Sequence, residues 1–235
     1  MPRIIYLVGP AGAGKTTNAM LLRYYLHKYY NRCVLPEIRS KDLLGGALAR
    51  FLMRVGRVEY DVRPEGRALR MIDSVFISRV YDLWILLEFA GFIMTYFIKV
   101  LPAYLFGCDV ALNRFLIDFL TDMVLLSERA GKSFRLVSTL AYVFLRPMYG
   151  VNAIFYLDGE YAELHKRYYI RKGDIIEPPW KVAKFRAISK LFFNMLYKYA
   201  DGYLDLLYID TTHMSLRQVF NQIFNKVRRF YEMED

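Results

Sequence analysis

Short apolar runs recur along this chain, and most segments between them carry hydrophobic residues at helical spacing. Arg3 to Val8 reads as a buried strand, and Thr17 to Tyr30 as a helix with Ala19, Leu22 and Leu26 on one side. Arg32 to Ile38 predicts a second strand. Lys41 to Val55 predicts a helix through Leu44, Leu48, Phe51 and Leu52, although Gly45-Gly46 weakens its start. Gly56 to Gly66 is charged, holds Pro64 and reads as a surface loop. Met71 to Phe106 reads as mostly helix, broken near Gly91 or Pro102.

Further strands are expected over Asp109 to Leu112, Val151 to Asp158 and Tyr203 to Asp210. Helices are expected over Arg114 to Ala130, Glu160 to Tyr169, Trp180 to Tyr199 and Ser215 to Tyr231. Ser133 to Leu145 reads as helical or irregular and ends at Pro147; Arg171 to Pro179 reads as a polar loop. Strands alternating with helices predict an α/β chain: three layers, a five-stranded parallel sheet and helices on both faces, in a single domain over 1–235. Ligands of such sheets gather at the carboxyl ends of the strands, where Glu37, Asn113, Asp158 and Asp210 fall.

The strongest chemical signal is the turn between the first strand and the first helix. Gly9-Pro10-Ala11-Gly12-Ala13-Gly14-Lys15-Thr16 fits G-x-x-x-x-G-K-[ST] without a mismatch, in the strand–loop–helix context that the motif requires. Glycines let the backbone turn its N–H groups inward, and the helix N-terminus adds positive potential, so phosphate oxygens are held there. The ATP-binding residues expected are Gly9, Pro10, Ala11, Gly12, Ala13, Gly14, Lys15, Thr16 and Thr17. Lys15 reaches the outer phosphates, and the Thr16 hydroxyl ligates Mg²⁺.

Composition narrows the setting. Lysine and arginine number 33 against 23 acidic residues, a net charge of +10 spread along the chain, which suits phosphorylated substrates. No nucleic-acid-binding module is recognisable, so a nucleic-acid partner is not expected. The 55% hydrophobic content supports a large core, in which Phe76, Tyr81, Trp84 and Phe89 are expected. Leu83 to Phe106 is strongly apolar, but Glu88, Lys99 and Pro102 interrupt it; a core or subunit-interface helix is expected in place of a membrane span, with a homodimer through 71–106 as a candidate assembly. Cys33 and Cys108 have no metal-site spacing and read as small core hydrophobes without a disulfide, and His27, His165 and His213 are scattered. The chain opens on strand and phosphate loop without a secretory signal, which predicts a cytoplasmic protein.

In the order of these parts the chain resembles the thymidylate kinase-like group of P-loop nucleotide kinases, over nearly its whole length. Leu86 to Ala90 resembles the group's apolar helix, and Gly107 to Phe115 its strand ending in Asp-Arg-Tyr. Tyr156-Leu157-Asp158 resembles its fourth strand. Arg167 with Arg171 to Asp174 resembles its arginine-bearing lid, at about 166–180, and Ile209-Asp210-Thr211 the approach to its adenine loop. The resemblance implies transfer of the γ-phosphoryl group of ATP to a nucleoside monophosphate, dTMP foremost. Lys15 would then serve the triphosphate, Arg114 the acceptor phosphate or the group in transit, and Arg167 or Arg171 would close over the γ-phosphoryl. Three departures lie on the acceptor side. Asn113 replaces the group's aspartate, Ala11 its acidic loop residue, and Gly91-Phe92 stands where an arginine is usual. Asp118 or Asp109 is a candidate to compensate for Asn113. An ATPase or switch acting with nucleic acid, and a kinase for another small acceptor, are the alternatives.

Overall fold

The structure is a computed structural model that describes residues 3–35, 54, 58–63, 66–71, 74–113, 116–145, 151–173, 178–199 and 204–232. Strand β1 (Ile4–Val8) leads into helix α1 (Lys15–Tyr30) and the two-residue strand β2 (Val34–Leu35). A hairpin of β3 (Val58–Arg63) and β4 (Gly66–Met71) precedes α2 (Ser74–Thr95), a π-turn over Tyr96–Val100 and α3 (Leu101–Leu105). Then come β5 (Asp109–Asn113), α4 (Leu116–Arg129), α5 (Arg135–Leu145), β6 (Val151–Asp158), α6 (Tyr161–Lys172), α7 (Pro179–Tyr199), β7 (Asp205–Asp210) and α8 (Leu216–Glu232).

The main sheet runs in the order β2-β5-β1-β6-β7, and its pairs are parallel. Four of these strands are full length. The strand expected over Arg32 to Ile38 reduces to two edge residues among those described, so the five full strands of the sequence reading become four plus a short edge pairing.

Side-chain alternation divides the core into two layers. Ile4, Tyr6, Val8, Val110, Leu112, Ile154 and Tyr156 face α2, α4, α5 and α7, whereas Ile5, Leu7, Ala111, Phe155 and Leu157 face α1, α6 and α8. Strands such as β1 are therefore apolar throughout, as sheets covered on both faces require.

Several expectations are corrected. Within the expected loop of Gly56 to Gly66, Val58–Arg63 is instead a strand paired antiparallel with Gly66–Met71, with Glu59 opposite Arg70 and Tyr60 opposite Leu69. The signal was the alternation V-E-Y-D-V-R, whose charged members resembled loop composition. Helix α2 passes through Gly91 without a break; the irregularity is the π-turn, after which Pro102 occupies the start of α3, where its missing N–H costs nothing. Helix α6 continues to Lys172 and ends at Gly173 in the left-handed conformation, so Arg171 is helical and not in a loop. The helix expected over Lys41 to Val55 lies outside the described residues apart from position 54.

Cys33 and Cys108 form a disulfide, contrary to expectation. Register is the reason: Val34 pairs with Asp109 across β2 and β5, so the preceding residues face each other with Cα atoms 4.7 Å apart, within disulfide reach. Such bonds persist in oxidising compartments or in intracellular proteins of hyperthermophiles, which bears on the cytoplasmic expectation.

Among the described residues one helical stretch, Tyr81–Leu105, is long and apolar enough to cross a membrane by length and composition. One side of it is seated on the sheet through Tyr81, Trp84, Ile85, Phe89 and Phe92, so Tyr81, Trp84 and Phe89 are core as expected, while the Phe76 side chain lies outside the described residues. The other side leaves Leu83, Leu86, Met94, Phe97 and Ile98 exposed.

Candidate phosphate-binding site

The loop after β1 is shaped by contacts that only glycine permits. Gly9 has φ +131°, and a Cβ there would lie 2.0 Å from the Leu157 carbonyl oxygen. Gly12 has φ +83°, and its Cβ would lie 2.3 Å from the Leu164 carbonyl oxygen. Both conformations are strained for other residues, and both obstructions are backbone. The loop is thus moulded onto β6 and α6, then turns through Gly14 into α1.

Lys15 opens α1 and is buried. Its ammonium donates to the Gly9 carbonyl at 2.5 Å and to the Pro10 carbonyl at 2.7 Å, which folds it across the loop. Asn18 Nδ2 donates to the Gly14 carbonyl at 2.9 Å. The Thr16 hydroxyl lies in the first turn and accepts a hydrogen bond from Asn113 Nδ2 at 2.5 Å, so the end of β5 meets the start of α1 there. Asp118, buried in the first turn of α4, accepts the Gly9 N–H at 3.3 Å. Asn113 and Asp118 are therefore brought to the loop as the sequence reading anticipated, although Asp118 touches the loop's backbone.

Asp109 cannot substitute for them. It begins β5, and Asn113 ends it, about 13 Å away at strand rise. Asp109 is buried, accepts from the Arg3 N–H at 2.7 Å and from the Tyr231 hydroxyl at 2.8 Å, and fastens α8 to the sheet's amino edge. Burial raises its pKa above the ordinary carboxylate value despite these bonds.

At the end of β6, Asp158 is fully buried. Its carboxylate accepts from Arg186 Nε at 2.7 Å and Nη2 at 3.0 Å, from the Tyr208 hydroxyl at 2.8 Å, and pairs with Lys190 at 2.7 Å. Burial alone would raise its pKa; the bonds from Arg186, Lys190 and Tyr208 outweigh that and hold it at about 2, so it is ionised at every ordinary pH. Asp158 is thus an ion-pair centre. Arg186 and Lys190 went unnoticed in sequence; the only trace was two cations one helical turn apart in α7.

The expected lid arginines have other partners. Arg167 donates from Nη1 to the Thr211 hydroxyl at 3.0 Å, and from Nη2 to the carbonyls of Thr211 at 2.7 Å, Thr212 at 3.2 Å and Met214 at 3.2 Å. It organises the turn after β7. Thr211 in turn donates to the Asp158 carbonyl, and Asp210 accepts from the Thr212 N–H and hydroxyl, which lowers its pKa. Arg171 is exposed and lies 5.9 Å over the Tyr168 ring. Glu88 is half-buried on α2. Arg114, Glu37 and positions 174–177 lie outside the described residues. Among the described residues no group of three or more His, Cys, Asp or Glu is placed to hold a metal.

A backbone cradle of this shape, with a lysine, a threonine hydroxyl and a helix N-terminus at its mouth, suits a magnesium-bound polyphosphate. Set at the carboxyl edge of a parallel sheet, it defines a P-loop kinase-like α/β fold. No protein-family model matches the chain, and no curated protein matches it in sequence. Among solved structures the chain is similar to the thymidylate kinase of Ehrlichia chaffeensis, with a TM-score of 0.50 and 16% identity over 97% of this chain and 98% of that one. At that identity the likeness is one of fold.

Proposed function

We propose that the chain transfers the terminal phosphoryl group of ATP to a nucleoside monophosphate, dTMP foremost. The observation that supports this reading is a complete phosphate cradle on a fold shared nearly end to end with a thymidylate kinase. In this reading the loop N–H groups and Lys15 bind the triphosphate, and the Thr16 hydroxyl ligates Mg²⁺. Mg²⁺, when bound, neutralises charge on the phosphate oxygens. Asn113 and Asp118 hold Thr16 and Gly9 in place through the bonds described above. Arg114 would grip the acceptor phosphate with its planar fork. Arg167 supports the turn after β7, on the side where the resemblance puts the adenine.

The test is ADP release from Mg²⁺ and ATP across a panel of nucleoside monophosphates. Release that requires a monophosphate, and is greatest with dTMP, is the expected result. Release without any acceptor that rises on adding DNA or RNA would replace the kinase reading by an ATPase one, and release only with a nucleoside or sugar would move the acceptor class.

We further propose that a second copy covers the exposed apolar side of α2. Leu83, Leu86 and Met94 on that helix, with Phe97 and Ile98 in the π-turn that continues it, form an exposed apolar side. Multi-angle light scattering should give twice the 27.8 kDa chain mass. A mass of one chain at high concentration would sink the idea.

A further inference from the structure

Two cations share one buried carboxylate beside the cradle. A single arginine would suffice to neutralise Asp158, yet Lys190 joins Arg186 on it, so the cluster carries a surplus positive charge. Neither cation is sealed off: the Arg186 side chain is 28% exposed and that of Lys190 38%. The position is set by sheet register. Val8 pairs with Tyr156, and the Leu157 carbonyl abuts Gly9, so Asp158 stands one strand spacing, about 5 Å, from the start of the loop. By alternation Asp158 projects to the same face as Tyr156, the face on which Asp118 holds Gly9. Tyr156 ties β6 to α7 there: its hydroxyl bonds the Ser189 hydroxyl at 2.6 Å, in the turn of α7 between Arg186 and Lys190. Asp158 takes two of the five guanidinium N–H donors and one of the three ammonium donors, and the ammonium also meets Tyr208, 4.9 Å from its ring centroid.

We propose that Arg186 and Lys190, held by Asp158 as a positioning residue, form a second anion-binding element flanking the P-loop that takes oxygens of the outer phosphates of a bound polyphosphate. This rests on the polyphosphate reading of the cradle. A preformed pair costs little reorganisation when the ligand arrives, because the carboxylate fixes both cations beforehand. It also supplies the charge that the sequence assigned to Arg167 and Arg171, which have other partners here.

The test is calorimetric titration of the full chain with Mg·ATP and with inorganic tripolyphosphate over a range of salt concentration. Lys190→Met keeps the Arg186 pair and should fold normally; it is expected to weaken tripolyphosphate about tenfold, with a shallower salt dependence. Arg186→Gln should do the same or more. Asp158→Asn, which frees the cations without removing them, should weaken binding while leaving the salt dependence close to that of the unsubstituted chain. Lys190→Met and Arg186→Gln proteins that bind tripolyphosphate with unchanged affinity and salt dependence, while Lys15→Ala does not bind, would overturn this inference alone. An unsubstituted chain that binds neither ligand would overturn the cradle reading together with it.

Discussion

Lys15→Ala should lower ATP turnover by at least about 10²-fold while the protein stays folded. The ammonium is buried and lies across the loop on the Gly9 and Pro10 carbonyls. From there it needs only a short swing to reach phosphate oxygens. Loss of the two hydrogen bonds to the Gly9 and Pro10 carbonyls costs about 1–3 kcal/mol together. That corresponds to a fall in melting temperature of roughly 2–12 °C for a chain of this size. Turnover assays alongside thermal melts check both halves. Turnover retained in the variant would reject the assigned role of the loop, and an unfolded variant would show that Lys15 is needed first of all for structure.

Reduction of the Cys33–Cys108 bond should produce the largest change in stability. The two residues are 75 apart in sequence, and closing a loop of that size removes unfolded-state entropy equivalent to about 4 kcal/mol. The expected fall in melting temperature is roughly 8–16 °C. The effect should concentrate at the sheet edge, because among the described residues β2 pairs with β5 through Val34 and Leu35 alone. Cys33 is exposed, so a small phosphine reductant has access. Calorimetry with and without reductant, and on Cys33→Ser, tests this. Identical melts would mean that the thiols are not joined in solution or that the unfolded chain is already constrained.

What could be read from sequence divides along a physical line. The phosphate loop was legible because its backbone conformation favours glycine at Gly9 and Gly14, the two glycines that the motif fixes. Strands β1 and β6 were legible as apolar runs because helices cover both faces of the sheet. Asp118 was legible through helical spacing from the end of β5. The hairpin was missed although V-E-Y-D-V-R alternates, because its charges outweighed its period. Arg171 was read into a loop because the basic run masked Gly173 as a helix stop. The disulfide and the partners of Asp158 were not legible. One depends on the register of β2 against β5, the other on contacts between residues 28 or more apart in sequence, of which the spacing of Arg186 and Lys190 in α7 is the sole local trace.

The moulding of the loop onto its neighbours has an evolutionary corollary. What crowds Gly9 and Gly12 are the carbonyl oxygens of Leu157 and Leu164, which every amino acid possesses. No compensating exchange at either leucine could make room for a methyl group. Substitution elsewhere in the loop therefore leaves these two sites behind as fixed points. A lineage could change its substrate many times over and still carry the same two glycines.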